Sequence, residues 1–335
     1  MDEIAKIADA VLYEGYVLWP YSRSATKNQR RWTFGGVYPE AHSADHPDDA
    51  FVMQTECLVE GGEDCRLDVR VRFLHVVARQ VARAGEHGLE RVEELTVEDE
   101  HHVSWDEATE REVKLTDASP ARLATGRAVA VDFPAGESLE DLRDGSGRLA
   151  GALLRTWKSL RGSVGVAAEE LRPGLHRLTV RIVNTTPFAG DDREQALRQT
   201  FCSAHTILRA RHGRFVSQTD PPAPVRAEAE GCNNVGTWPV LVGSEGERHT
   251  VLSSPIILPD YPEVAPESPG DMFDAAEIDQ LLRLSILSMT DEERREMRAS
   301  DPKTRAILER TESLSNEELM RLHGAVREFG MSRRD

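Results

Sequence analysis

The sequence predicts an α+β protein: a largely antiparallel, β-rich body with one internal capped helix, followed by a helical C-terminal segment. Three observations predict it. Strand-like alternation recurs through the first two-thirds of the 335 residues. A proline-dense, acidic stretch then interrupts the chain, and beyond it helix-start signals recur at short intervals. The chain divides accordingly into a body at 1–258, a connector at 259–272 and a helical segment at 273–335.

Val11 to Trp19 is β-branched and aromatic and stops at Pro20, as a strand would. Arg31 to Val37 and Phe51 to Val59 read the same way. Leu67, Val69, Val71 and Phe73 share one face of a period-two strand, with Asp68, Arg70 and Arg72 on the other. Ala128 to Phe133, Arg177 to Val183, Trp238 to Val242 and Val251 to Leu258 repeat the pattern. One polar face per strand predicts antiparallel pairing, because strands of parallel sheets are buried on both faces and read as unbroken apolar runs. Long helices do not alternate with these strands, which argues against a doubly wound fold.

The internal helix is expected from Asp191, with Glu194 completing a capping-box spacing. Leu197, Phe201, Ala204 and Leu208 form its apolar stripe, and Gly213 ends it. In the connector, Pro259 to Gly270 carries only acidic charge and should be extended. Further on, Asp274 with Glu277, Thr290 with Glu293 and Ser315 with Glu318 each repeat the capping spacing, and Asp301 caps a helix that Pro302 opens. In the first tail helix Ile278, Leu281, Leu282, Ile286 and Met289 make one stripe, which Leu284 and Leu287 widen beyond a single face. Such a helix must be buried on more than one side, against its own body or in a partner subunit.

Lys and Arg number 41 and Asp and Glu 58, a net charge of −17. That excess opposes generic binding to nucleic-acid phosphates or to an anionic membrane surface. No stretch approaches the roughly 18 to 20 apolar residues of a membrane-spanning helix, so no membrane insertion is expected. The opening MDEIAKIADA has no basic region followed by an apolar one, and four cysteines are too few for a disulfide scaffold. A cytoplasmic protein with reduced thiols is expected.

The sequence contains no G-x-x-x-x-G-K-[ST] loop, no G-x-S-x-G elbow and no H-E-x-x-H pair, and no catalytic residue is singled out. Gly145-Ser146-Gly147 follows an acidic turn rather than a strand. Cys202 and His205 would share a face of the internal helix, and Cys232 follows in a loop. Two thiolates and an imidazole can hold zinc or an iron–sulfur unit, but no C-x-x-C pair gives a local clamp. No cofactor is therefore predicted. A metal carrier or metal-dependent enzyme built on Cys202, His205 and Cys232 is the alternative reading. Cys57 and Cys65 bracket a turn at Glu60 to Asp64, His101-His102 reads as a turn, and Glu40, His42, Asp45, His46, Asp48 and Asp49 read as a solvated loop. The basic run containing Arg23, Lys27, Arg30, Arg31 and Trp32 stands out in so acidic a chain and suits an acidic protein surface.

Four segments carry a resemblance: LYEGYVLWPYSRSATKNQRRWTFGGVYP (Leu12 to Pro39), WDEATEREV (Trp105 to Val113), GTWPVLVG (Gly236 to Gly243) and SSPIILPDYPEVAPESPGDMFDAAEIDQLLRLSILSMTDEERREM (Ser253 to Met297). They resemble a family of accessory proteins encoded with actinobacterial-type high-affinity nickel–iron hydrogenases. The resemblance spans nearly the whole chain and is most specific at the proline-rich junction. It implies a cellular context rather than a reaction, and the family has no established catalytic residues to carry over. The expected function is thus a non-enzymatic accessory, assembly or structural partner of a nickel–iron hydrogenase system. Hydrogenase subunits or maturation factors are its expected partners. Arg23, Lys27, Arg30, Arg31, Trp32, Ile278, Leu281, Leu282 and Ile286 are the expected contact residues.

Overall fold

A computed structural model describes residues 7–9, 11–12, 35–262, 295, 298, 305 and 308–309. Its strands are β1 (Val52–Gly85), β2 (Gly88–Val92), β3 (Glu94–Val97), β4 (Glu100–Val103), β5 (Trp105–Ala118), β6 (Arg127–Phe133), β7 (Gly136–Arg143), β8 (Leu149–Trp157), β9 (Leu160–Arg172), β10 (Leu175–Asn184), β11 (Cys202–Phe215), β12 (Trp238–Leu241) and β13 (Thr250–Ser254). All but β3 and β4 belong to one sheet, ordered β12-β13-β11-β1-β10-β9-β6, with β5, β8 and β2 also on β1 and β7 on β8. Each pairing is antiparallel, as the single polar face of each strand predicts.

β1 organises the molecule because it belongs to two layers. Its first half pairs with β10, which leads to β9 and β6. Its second half pairs with β5 on one edge and β11 on the other, leading to β13 and β12. The β10, β9 and β6 registers set Phe133 beyond the level of Val52, 21 residues before Phe73 on β1. A straight strand would separate those levels by about 70 Å. The Phe73 and Phe133 ring centroids are 6.1 Å apart, so β1 bends sharply and the two layers pack face to face.

The corner lies at Gly61 to Arg66. Gly61 pairs with Gly213 and Arg66 with Arg211, so five residues of β1 are spanned by two of β11. His212 takes a positive φ of 55° to follow the bend. Glycine is required at both crossing points. A Cβ on Gly213 would stand 2.6 Å from Cys65 Sγ and 3.1 Å from the Glu60 carbonyl oxygen, and one on Gly61 would stand 2.7 Å from Cys65 Cβ. Cys65 is fully buried in this corner. The predicted turn at Glu60 to Asp64 is therefore a bulge within one long strand, and no chain reversal occurs there.

Between the layers, Met53, Cys57, Leu67, Val69, Val71 and Phe73 of β1 meet Leu178, Val180 and Ile182 of β10, Val164 and Val166 of β9, and Ala204 and Leu208 of β11. Leu123, on the short helix Pro120–Leu123 packed against β9 and β1, joins this core. Past Ala78, β1 continues into a lobe with β2, β8 and β7, whose core is Val81, Val97, Leu142 and Leu153. Among 295–309, the described residues are helical. Leu308 is fully buried, and Arg305 lies near enough to His102 of β4 to act with burial and Arg79 in lowering that imidazole's pKa, against Glu100.

Four expectations need correction. The internal helix covers only Arg193–Leu197, capped by Asp192, whose carboxylate accepts from the Gln195 amide at 2.7 Å. Phe201, Ala204 and Leu208 belong to the chain entering β11 and to β11 itself. Residues 202–208 are buried on both faces, and burial on both sides removes the alternation of polar and apolar residues that marks a strand. Val11 and Leu12 are helical, not extended: Ile7, Ala8 and Val11 pack on Ile207, Val240 and Leu252, a period of 3.6 that prevails over β-branching. Glu40–Asp45 is helical and His102 lies in β4. At the start of the expected connector the Tyr261 amide donates to the Leu241 carbonyl at 2.7 Å.

Gly213→Ala is expected to cost about 2 to 4 kcal/mol in urea unfolding, because Cys65 and the Glu60 carbonyl cannot both retreat. The same change in a Cys65→Ala background should cost markedly less, and equal costs in both backgrounds would contradict the corner packing.

Candidate functional site

The outer face of the second layer carries an open groove of about 690 Å³. Period-two alternation builds it. Asp68, Arg70 and Arg72 project from β1, Glu110, Glu112, Lys114 and Thr116 from β5, and Ile207 and Arg209 from β11. Helical Asp9 closes one end. Arg70 Nε lies 2.9 Å from Glu112, and Arg72 bonds both Asp9 at 2.6 Å and Glu110 at 3.2 Å. Burial opposes the Arg72 charge, but Asp9 and Glu110 outweigh it and hold the guanidinium above its ordinary pKa. The groove floor is thus a lattice of alternating charge that pins the N-terminal helical residues to the sheet.

Two histidines of this layer are buried and neutral. His205 sits opposite Arg72 in the β1–β11 register. Its Nδ1 donates to the Ser203 carbonyl at 3.2 Å, since a carbonyl only accepts, and its Nε2 is an acceptor with no partner among the described residues. Burial, then Arg72, pushes its pKa down to about 4. His75 faces the interior, where its Nε2 donates to the Lys158 carbonyl at 2.9 Å and its Nδ1 accepts from Arg111 Nε at 3.4 Å. Arg111 stacks over Phe133, 4.7 Å from the ring centre. Burial, then Arg111, likewise pushes His75 down to about 4. This chain of contacts ties β1, β5 and β6 together across the two layers.

A second polar cluster surrounds His42, whose Nε2 is 3.0 Å from Asp49. His46 stacks on it at 4.1 Å, Tyr38 at 5.4 Å, and Arg193 reaches both Asp49 and the Tyr38 hydroxyl. The sequence reads this region as a solvated loop, but His42 is buried and organises the segment. Its polar atoms are satisfied by one another, which makes it a clamp for the helix Arg193–Leu197.

Cys202 and His205 do share the outer face, through a β-bulge at Ser203 (φ 51°) rather than through a helical turn. Cys202 is packed with Leu74 and Tyr38, whereas Cys232 is packed with Leu58 and Val225 on the first layer. The structure does not bring the three together. Among the described residues no group of three or more His, Cys, Asp or Glu is placed to hold a metal ion. Arg23, Lys27, Arg30, Arg31, Trp32, Ile278, Leu281, Leu282 and Ile286 lie outside the described residues. Of the groove residues, Asp68, Arg70 and Arg72 are legible as a polar strand face. Glu110, Glu112 and Lys114 were missed, although the alternation E-x-E-x-K carries the same signal.

Both histidines give a signed pH dependence. An unfolded histidine titrates near 6.5. Between about pH 6.5 and pH 4 the unfolded chain takes up protons that the folded chain refuses, so stability falls as pH falls through this window. Urea midpoints measured across it should decline less steeply in His75→Gln, and less again with His205→Gln added. Slopes equal to wild type would contradict the assignment. Compared with known proteins, the chain matches no protein-family model, no curated protein and no solved structure.

Proposed function

We propose that this chain is a non-enzymatic accessory protein that acts by protein–protein contact, and that the groove over β1, β5 and β11 grips an acidic segment of its partner. The groove itself carries the reading. Its central ion pairs are half exposed, with the Arg70 and Lys114 side chains 47% and 49% accessible. Exposed pairs of this kind contribute little to stability, on the order of 0 to 1 kcal/mol. A partner carboxylate can therefore replace Glu112 at small cost, while the paired charges set orientation and steer encounter.

The basic run supports the same partner chemistry. The chain leaves the described body at Leu12, which packs on Leu74, two positions along β1 from Arg72. Arg23 follows 11 residues later, a reach of at most roughly 40 Å. In this reading Arg23, Lys27, Arg30 and Arg31 add cations to the same approach. In this reading the segment 273–335 is helical and offers Ile278, Leu281, Leu282 and Ile286 as a second, apolar contact. The resemblance to hydrogenase accessory proteins supplies the context: a cytoplasmic assembly or structural partner of a nickel–iron hydrogenase.

The test is capture from the native host followed by mass spectrometry. Hydrogenase subunits or maturation proteins should be recovered in stoichiometric amounts. Recovery should fall at least tenfold for Arg70→Glu combined with Lys114→Glu, whose exposed positions leave the urea midpoint nearly unchanged. It should also fall when salt is raised from about 0.05 to about 0.5 M. Recovery indifferent to both would contradict the groove as the contact site.

A further inference from the structure

Among the described residues, the edges at β12, β7 and β5 are guarded more strongly than the edge at β6. A free strand edge presents unpaired amides and carbonyls, and proteins blunt such edges with charge, proline, bulges or covering chain. At β12 the guard is double: Pro239 lies within the strand, and the segment after β13 covers its end, where Leu241 bonds Asp260 and Tyr261. β7 carries Glu137, Glu140, Asp141 and Arg143 in eight residues. β5 carries a charged residue at Asp106, Glu107, Glu110, Arg111, Glu112 and Lys114.

β6 carries charge only at Arg127 and Asp132 and has no proline. Its sequence is RAVAVDF, with Ala128, Val129, Ala130 and Val131 uninterrupted by charge or proline. Its pairing with β9 runs from Arg127 to Phe133 without a register shift, so no bulge twists it away. On its other side, no backbone hydrogen bond to residues 127–133 is made among the described residues. Ala128 and Ala130 are exposed.

We propose that β6 is a self-association edge, at which a second copy of this chain adds its own β6 in antiparallel fashion. The sequence is complementary to itself in the one register that pairs all seven residues, which centres on Ala130. There Val129 faces Val131 of the second copy, a β-branched pair on the core side, and Val131 is already buried on that side. Arg127 stands opposite Phe133. Asp132 faces Ala128, and no like charges oppose one another. The first layer then continues across the two-fold axis as one sheet of eight strands, with the side chains facing the core aligned. This contact is separate from the groove, which lies on the outer face of the second layer.

Analytical ultracentrifugation of the full chain between about 1 and 100 μM tests the proposal. A concentration-dependent dimer is expected. Ala130→Lys sets two ammonium groups against each other on the axis and should raise the dimer dissociation constant at least tenfold. Its circular dichroism should stay unchanged, because the position is exposed. Ala130→Cys should form a disulfide-linked dimer under mild oxidation, the two Cβ atoms lying about 5 Å apart in such a pair. Wild-type protein, with three of its four cysteines buried, should not. A wild-type monomer over the whole range would overturn the proposal. So would a dimer that neither substitution affects, or a β6 edge that takes up only a strand from a different protein.

Discussion

The corner formed by Gly61, Cys65 and Gly213 is the constraint on which the remaining structure depends. A 34-residue strand that ran straight would bury neither of its faces fully and would leave β10, β9 and β6 far from β5 and β11. By turning through a bulge against a partner that turns with it, β1 brings Phe73 onto Phe201, at 4.6 Å between rings, and onto Phe133. The apolar residues of both halves then close into one core. The bend is possible because two facing glycines leave room for one buried sulfur. The core supplies the favourable free energy, and the corner decides that there is a single core to supply it.

The second layer inherits its two unlike faces from this arrangement. Its inner face is spent on the core, so period-two alternation turns the intervening residues outward. Where Ile207, Val240 and Leu252 point outward, helical Ile7, Ala8 and Val11 cover them. Where Asp68, Arg70, Glu110, Glu112 and Lys114 point outward, the charges are left at the surface as a groove. Arg72 stands at the border and joins the two regions through Asp9. In the proposed reading, partner recognition falls to this charged sheet face.

Much of the body was legible because one-sided burial writes a period of two into the sequence. Leu67 to Phe73 shows it plainly, and the antiparallel character followed. Elements buried on both faces left no such mark. Residues 202–208 satisfy helical and extended patterns alike, and only their pairing with β1 and β13 decides between them. Ile7 to Leu12 shows the converse, a helical period masked by the β-branched sequence that follows it. The corner was illegible in kind: Gly61-Gly62 reads as a turn signal, and what makes it a bulge is Gly213, 152 residues away. The groove was half legible, since its β1 wall was recognised as a polar face, but nothing local says which strands stand beside it.

Carboxyl-labelling footprinting of the captured complex tests most directly whether the second layer's charged face is the working surface. Asp68, Glu110 and Glu112 should lose labelling when the partner is bound, while Glu137 and Glu140 on β7 keep theirs. Undiminished labelling of the three groove carboxylates in a complex that is demonstrably intact would contradict the account.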